Sequence, residues 1–175
     1  IGAANTIVND NGLLTGHNTD APGFLSALHL GGFEPNGKKA VVLGAGGAAR
    51  AIVFALRDAG AFVSIVNRTL SFAETLAGET GATACEMIDS GYLKALNGAT
   101  LIVNATSVGM SPDDSSSPFP STLLRPEITV FDTVYRPRQT KFLVEAEAAG
   151  CRVIGGLEML IEQGALSFEL WTDKE

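Results

Sequence analysis

At 175 residues, the chain has the length of one domain, or of one domain with part of another. Its 46% hydrophobic residues and positive mean hydropathy exclude a disordered chain. A net charge of −7 excludes electrostatic attraction to nucleic acid or an anionic membrane, but leaves room for a small anion held by local groups.

Residues 5–8 read as a strand, 9–12 as a turn, and 13–16 as the returning strand. A helix is predicted from about Asp20, with Phe24, Leu25 and Leu28 as its apolar stripe and Gly31-Gly32 at its end. Asp20 fits an N-cap, with Pro22 in the first turn. Residues 33–37 read as a linker.

The next unit organises the chain. Residues 40–43 form a short apolar run suited to a buried parallel strand. Gly44, Gly46 and Ala49 follow as G-x-G-x-x-A. That spacing permits a tight turn, a close approach of backbone to a pyrophosphate, and close packing of helix on strand. A helix is predicted over 48–59 and a second strand over 61–66. No Gly-Lys-Ser/Thr follows the glycines, which excludes a Walker loop. An NAD site wants Asp or Glu at the end of the second strand; this chain has Asn67-Arg68-Thr69. A guanidinium there pairs with a 2′-phosphate, so the expected cofactor is NADP rather than NAD.

Ser71-Phe72-Ala73-Glu74 reads as a capping box opening a helix with Phe72, Leu76 and Ala77 inward, closed near Gly81. A short strand is predicted at 83–85, a brief helix around Leu93 and Leu96, and a strand at 100–104. Residues 111–120, rich in Ser, Asp and Pro, read as a mobile loop. A strand at 128–132, a helix over 140–149 with Phe142, Leu143 and Ala146 inward, and a strand at 152–154 follow. The last helix, 157–171, carries Leu157, Leu160, Ile161, Ala165, Phe168 and Trp171 at helical spacing, which reads as core. This alternation predicts an α/β fold with a Rossmann-type doubly wound parallel sheet. Ligands of such sheets sit beyond the carboxyl ends of the strands, where Gly44, Asn67, Asn104 and Asp132 fall.

The chemistry is metal-free. No His cluster, HExxH or CxxC occurs, His17 and His29 are isolated, and no G-x-S-x-G elbow appears. Cys85 and Cys151 read as buried thiols in a reducing cytoplasm. No apolar run reaches the roughly 18 residues of a membrane span, and no signal peptide is visible. Nicotinamide chemistry remains: the protein must hold a carbon against the ring and move a hydroxyl proton. Asp20 is a candidate for the proton step; Tyr135 and Gln163 could orient substrate hydroxyls.

Several segments in order carry a family likeness: Gly2-Ala3-Ala4-Asn5-Thr6, Asn18-Thr19-Asp20, Gly44-Ala45-Gly46-Gly47-Ala48, Asn67-Arg68-Thr69, Asn104 through Met110, Asp132-Thr133-Val134-Tyr135, and Gly156 through Gln163 to Phe168. Together they resemble the shikimate dehydrogenases, NADP-dependent enzymes of aromatic amino-acid biosynthesis that reduce 3-dehydroshikimate to shikimate. The resemblance implies that Asn5, Asp20, Tyr135 and Gln163 bind substrate, and that Asp20 works with a catalytic Lys. It places Gly44, Ala45, Gly46, Gly47 and Ala48 on the pyrophosphate and Asn67, Arg68 and Thr69 at the 2′-phosphate. Thr133 and Gly156 fall near the nicotinamide. The expected layout is a remnant of the substrate domain over 1–33, the NADP-binding domain over 38–155, and a C-terminal helix, 156–175, returning toward the substrate domain. The family's Ser-x-Ser pair and catalytic Lys have no match, because Lys38, Lys39, Lys94, Lys141 and Lys174 occupy other positions. With Ile1 in place of an initiator Met, the expectation is a C-terminal fragment, weakly active alone. The resemblance leaves open a quinate-preferring variant. A non-catalytic NADP-binding module and a folate- or tRNA-linked reductase are the other readings, the last opposed by Tyr135 and Gln163.

Overall fold

Six apolar runs, each too short for a helix, pair into one sheet in the computed structural model, which describes residues 1–172 and 174. They are β3 (Lys39–Leu43), β4 (Phe62–Asn67), β5 (Thr83–Glu86), β6 (Ala99–Asn104), β7 (Thr129–Asp132) and β8 (Arg152–Ile154). Every pairing is parallel, in the order β5-β4-β3-β6-β7-β8. Both faces are covered, which explains the near-continuous apolar character of the strands. Side chains alternate between layers: Ala40 and Val42 of β3 join one core cluster, Val41 and Leu43 the other. The first layer holds α1 (Asp20–Leu30), α2 (Gly47–Asp58) and α3 (Leu70–Thr80), through Phe24, Leu28, Ile52, Leu56 and Leu76. The second holds α4 (Asp89–Leu96) and α5 (Lys141–Ala148), through Tyr92, Leu96, Phe142 and Leu143. Strand order reverses between β3 and β6, so the crevice lies beyond their carboxyl ends.

The first two strands, β1 (Thr6–Asp10) and β2 (Leu13–His17), form a separate antiparallel hairpin. Asn11 (φ 50°) and Gly12 (φ 94°) make its two-residue turn, the left-handed pair that such hairpins favour. The final helix, α6 (Gly156–Thr172), crosses α1 closely: a Cβ on Gly23 would lie 2.8 Å from the Gln163 amide nitrogen. Residues 173 and 175 of the predicted 156–175 segment lie outside the described residues. Among the described residues no helix is long and apolar enough to cross a membrane.

Several sequence expectations are corrected. The α6 stripe is not core: Gly156, Met159 and Ser167 are buried, while Ile161, Phe168 and Trp171 are 58%, 56% and 59% exposed. Helical spacing gives a face, and here no further layer covers it among the described residues. Phe72 and Leu93 are also exposed. Asp20 does not cap α1; Thr19 holds the N-cap position, and Asn18 Oδ1 accepts from the Ala21 amide at 3.0 Å. Helix α3 starts at Leu70 with no side-chain cap, so Ser71 and Glu74 form no capping box. The 111–120 loop is exposed over 112–116, and its far end is fixed by Phe119, which is buried edge-on to Tyr92 at 5.1 Å.

Candidate cofactor and substrate site

The glycine loop follows β3 directly. Gly44 has φ +107°, and a Cβ there would lie 3.0 Å from Thr106 Cγ2 and 3.1 Å from the Ala105 carbonyl. Only glycine meets both demands. Gly46 is the N-cap of α2, without a side-chain cap and with no acidic residue in the first turn. An added Cβ at Gly46 or Gly47 would meet nothing within 4 Å. The start of α2 is therefore uncrowded at these glycines, and a helix N-terminus of this kind can receive a pyrophosphate. Ala45 packs partly buried against the core.

At the end of β4, Asn67 Nδ2 donates to the Thr69 carbonyl (2.8 Å), and Thr69 is the N-cap of α3. Arg68 between them is exposed. The arginines of α2 are already engaged: Arg50 with Glu79 and the Ile1 carbonyl, Arg57 with Asp58.

Across the crevice, a cavity of about 470 Å³ is lined by Ala48, Thr106, Met110, Thr133, Val134 and Tyr135 among others. The loop walls hang from a buried polar network. Asp132 and Asn104, both fully buried, are joined by an Asn104 Nδ2 to Asp132 Oδ1 bond of 2.9 Å. Gly156 abuts this wall: a Cβ there would run into the Thr133 carbonyl, so glycine lets α6 begin against the crevice.

The expected substrate residues divide. Asn5, Asp20 and Gln163 meet although they are far apart in the chain. Asn5 Nδ2 faces Thr19 Oγ1 (2.8 Å), Asp20 Oδ1 (2.9 Å) and Gln163 Oε1 (3.1 Å). Asn5 Oδ1 accepts from the Thr19 amide at 2.8 Å, which fixes the orientation of its amide. Burial pushes the Asp20 carboxyl above the usual carboxylate range, and the Asn5 bond partly offsets this. Tyr135 is not bonded to the cluster; it lines the cavity and, with Gly156, borders a smaller one of about 210 Å³. Among the described residues no group of His, Cys, Asp or Glu could hold a metal, and no lysine bonds Asp20.

Sequence reasoning missed the floor beneath the cluster. Thr6, Thr19 and Ser167 are buried hydroxyls, with Thr6 Oγ1 and Ser167 Oγ 2.7 Å apart and Thr19 Oγ1 3.0 Å from Ser167 Oγ. Ser167 Oγ also donates to the Gln163 carbonyl at 2.9 Å. The available signal was Ser167, one helical turn after Gln163 on the same face.

Comparison with known proteins bears on this geometry. A family model described as shikimate / quinate 5-dehydrogenase matches residues 28–111, and one described as the shikimate 5′-dehydrogenase C-terminal domain matches 156–175. The curated shikimate dehydrogenase (NADP(+)) of Moorella thermoacetica is 47% identical over 182 residues, which cover 100% of this chain and 62% of that protein. A Thermus thermophilus protein of the same name is 52% identical over 172 residues, covering 98% of this chain and 62% of that protein. The crystal structure of a Thermus thermophilus shikimate 5-dehydrogenase, in complex with NADP(H) and shikimate, superposes with a TM-score of 0.88 at 49% identity. It is matched over 99% of this chain and 63% of its own. The chain thus spans about 62% of the length of these curated relatives. With the Rossmann strand order, the glycine loop and both family models agreeing, the chain belongs to the shikimate dehydrogenase family.

Proposed function

We propose that the chain is the cofactor-binding portion of an NADP-dependent enzyme that interconverts 3-dehydroshikimate and shikimate. One observation carries the reading: Asn5, Asp20 and Gln163 converge on one hydrogen-bonded cluster. Gln163 sits on the helix that begins against the crevice, about 10 Å along its axis from Gly156. The relatives, NADP(+)-dependent shikimate dehydrogenases, supply the substrate and the cofactor of this reading.

The residues divide the work. The α2 N-terminus receives the pyrophosphate, and Arg68 pairs with the 2′-phosphate. The walls at Thr106 and at Thr133–Tyr135 enclose the nicotinamide, where bound NADP(H) supplies or accepts the hydride. Asn5 and Gln163 orient ring hydroxyls, and Tyr135 contributes from the cavity side. Asp20, together with the lysine that the family likeness pairs with it, takes the hydroxyl proton when shikimate is oxidised and returns it in reduction; a carboxyl raised by burial is suited to both directions. The family matched over residues 28–111 includes quinate dehydrogenases, which supports quinate as a second substrate reading.

The test is NADP reduction with shikimate, by this chain alone and by this chain joined to the amino-terminal region of the Thermus thermophilus relative. The joined protein should turn over. The chain alone should be at least about 100-fold slower, since general acid–base help is worth that much and no lysine bonds Asp20. A joined protein that oxidises quinate and not shikimate would establish the second reading; one that oxidises neither would refute both.

A further inference from the structure

Beneath the cavity walls lies a carboxylate that the proposed chemistry does not use. Asp132 ends β7 and is fully buried. Its Oδ1 accepts from Asn104 Nδ2 (2.9 Å) and the Val134 amide (3.0 Å), and its Oδ2 accepts from the Thr140 hydroxyl (2.6 Å). The three donors come from the end of β6, the loop after β7, and the N-cap of α5. Asn104 carries the network to the opposite wall. Its Oδ1 accepts from the Thr106 amide (3.0 Å) and hydroxyl (2.7 Å), and its Nδ2 also donates to the Val108 carbonyl (3.2 Å). Thr106 Oγ1 in turn accepts from the Val108 amide at 3.2 Å. The Asn104 carbonyl accepts from the Thr133 amide at 3.0 Å, a second tie between the walls.

A carboxylate offers acceptors on both oxygens, and three donors converge on it. Burial raises the Asp132 carboxyl above the usual range, and the three hydrogen bonds offset this only in part. An apolar residue in its place would leave all three donors buried without an acceptor. Asp132 thus ties three separate segments to one point. Thr106, Thr133 and Val134, which it fixes directly or through Asn104, all line the same cavity.

We propose that Asp132 is the positioning residue of the nicotinamide half of the cofactor site, holding the 105–109 and 133–136 loops at the separation the ring requires. This rests on the reading of the crevice as an NADP site. The adenosine half, formed by the glycine loop and Arg68, has no member in the network, so the two halves should respond differently.

The experiment titrates two ligands, NADPH and adenosine 2′,5′-bisphosphate, into the unmutated chain and into Asp132→Asn, Thr140→Val and Thr140→Ser. The amide of Asp132→Asn sets a donor against donors; Thr140→Val removes the bond to Asp132, and with it the Leu143 amide's bond to Thr140 Oγ1, without changing any charge. Both should weaken NADPH by roughly tenfold or more and leave the bisphosphate unchanged. Thr140→Ser, which keeps the hydroxyl, should bind both ligands as the unmutated chain does. If Asp132→Asn does not fold, Thr140→Val against Thr140→Ser decides. Equal loss for the two ligands would mean general loosening of the fold and would overturn the proposal, as would undiminished NADPH affinity. An unmutated chain that binds neither ligand would instead overturn the cofactor reading, and the proposal with it.

Discussion

Two side chains, Arg68 and Asp20, carry the charges on which the cofactor and proton assignments turn. Arg68 is exposed, whereas the α2 arginines are engaged with carboxylates. A charge-assisted hydrogen bond is worth about 1.5–3 kcal/mol, so Arg68→Leu should weaken NADPH roughly ten- to a hundredfold and NADH much less, as read by cofactor fluorescence. Asp20 makes a pH prediction. Its carboxyl is raised by burial, so the folded state holds the proton more tightly than the unfolded chain. That contribution to stability is present below the ordinary carboxylate range and is lost as pH rises through the raised value. Asp20→Asn keeps an acceptor for Asn5 and removes the ionisation. In thermal melts the variant should gain on the unmutated chain as pH goes from acid to neutral, while turnover of the joined protein collapses. A stability difference that does not change with pH would contradict the assignment.

Glycines decide how the elements meet. A Cβ on Gly23 would press into the Gln163 backbone, whereas one on Gly78, inside α3, would meet nothing within 4 Å. Gly23→Ala should therefore cost about 1–3 kcal/mol in chemical denaturation and displace Gln163. Gly78→Ala should add about 0.5–1 kcal/mol, because helical glycine is entropically unfavourable. Neither glycine stands out in the sequence, since the consequence of each is set by a partner distant in the chain. The β3–α2–β4 unit, by contrast, is legible locally: a short apolar run, Gly44 and an amphipathic helix need no distant information. Asp20 and Gln163 are candidates in the sequence, but their convergence is expected only through family resemblance; the partners of Ser167 and Asp132 show only once the strands and helices are assembled. The position of α6 is legible in the sequence and its burial is not, because periodicity shows which face is apolar but not what covers it.

At the scale of the whole molecule, the apolar surface gathers on the hairpin and α6. Ile7, Leu14, Phe168 and Trp171 are exposed, Leu13 is exposed on the opposite face of the hairpin, and Trp171 Nε1 donates to the Ile7 carbonyl at 2.9 Å, which ties the two elements together. Exposed apolar surface drives association. In sedimentation the chain alone should grow heavier with concentration, and the double variant Leu13→Lys, Phe168→Lys should remain monomeric; an unmutated chain monomeric throughout would contradict this. The most direct test of the central claim is an equilibrium titration of the unmutated chain with NADPH and with NADH. The overall charge of −7 opposes both anions, so discrimination is assigned to Arg68, just after β4. NADPH should bind roughly ten- to a hundredfold more tightly; equal affinity for the two would contradict the NADP site.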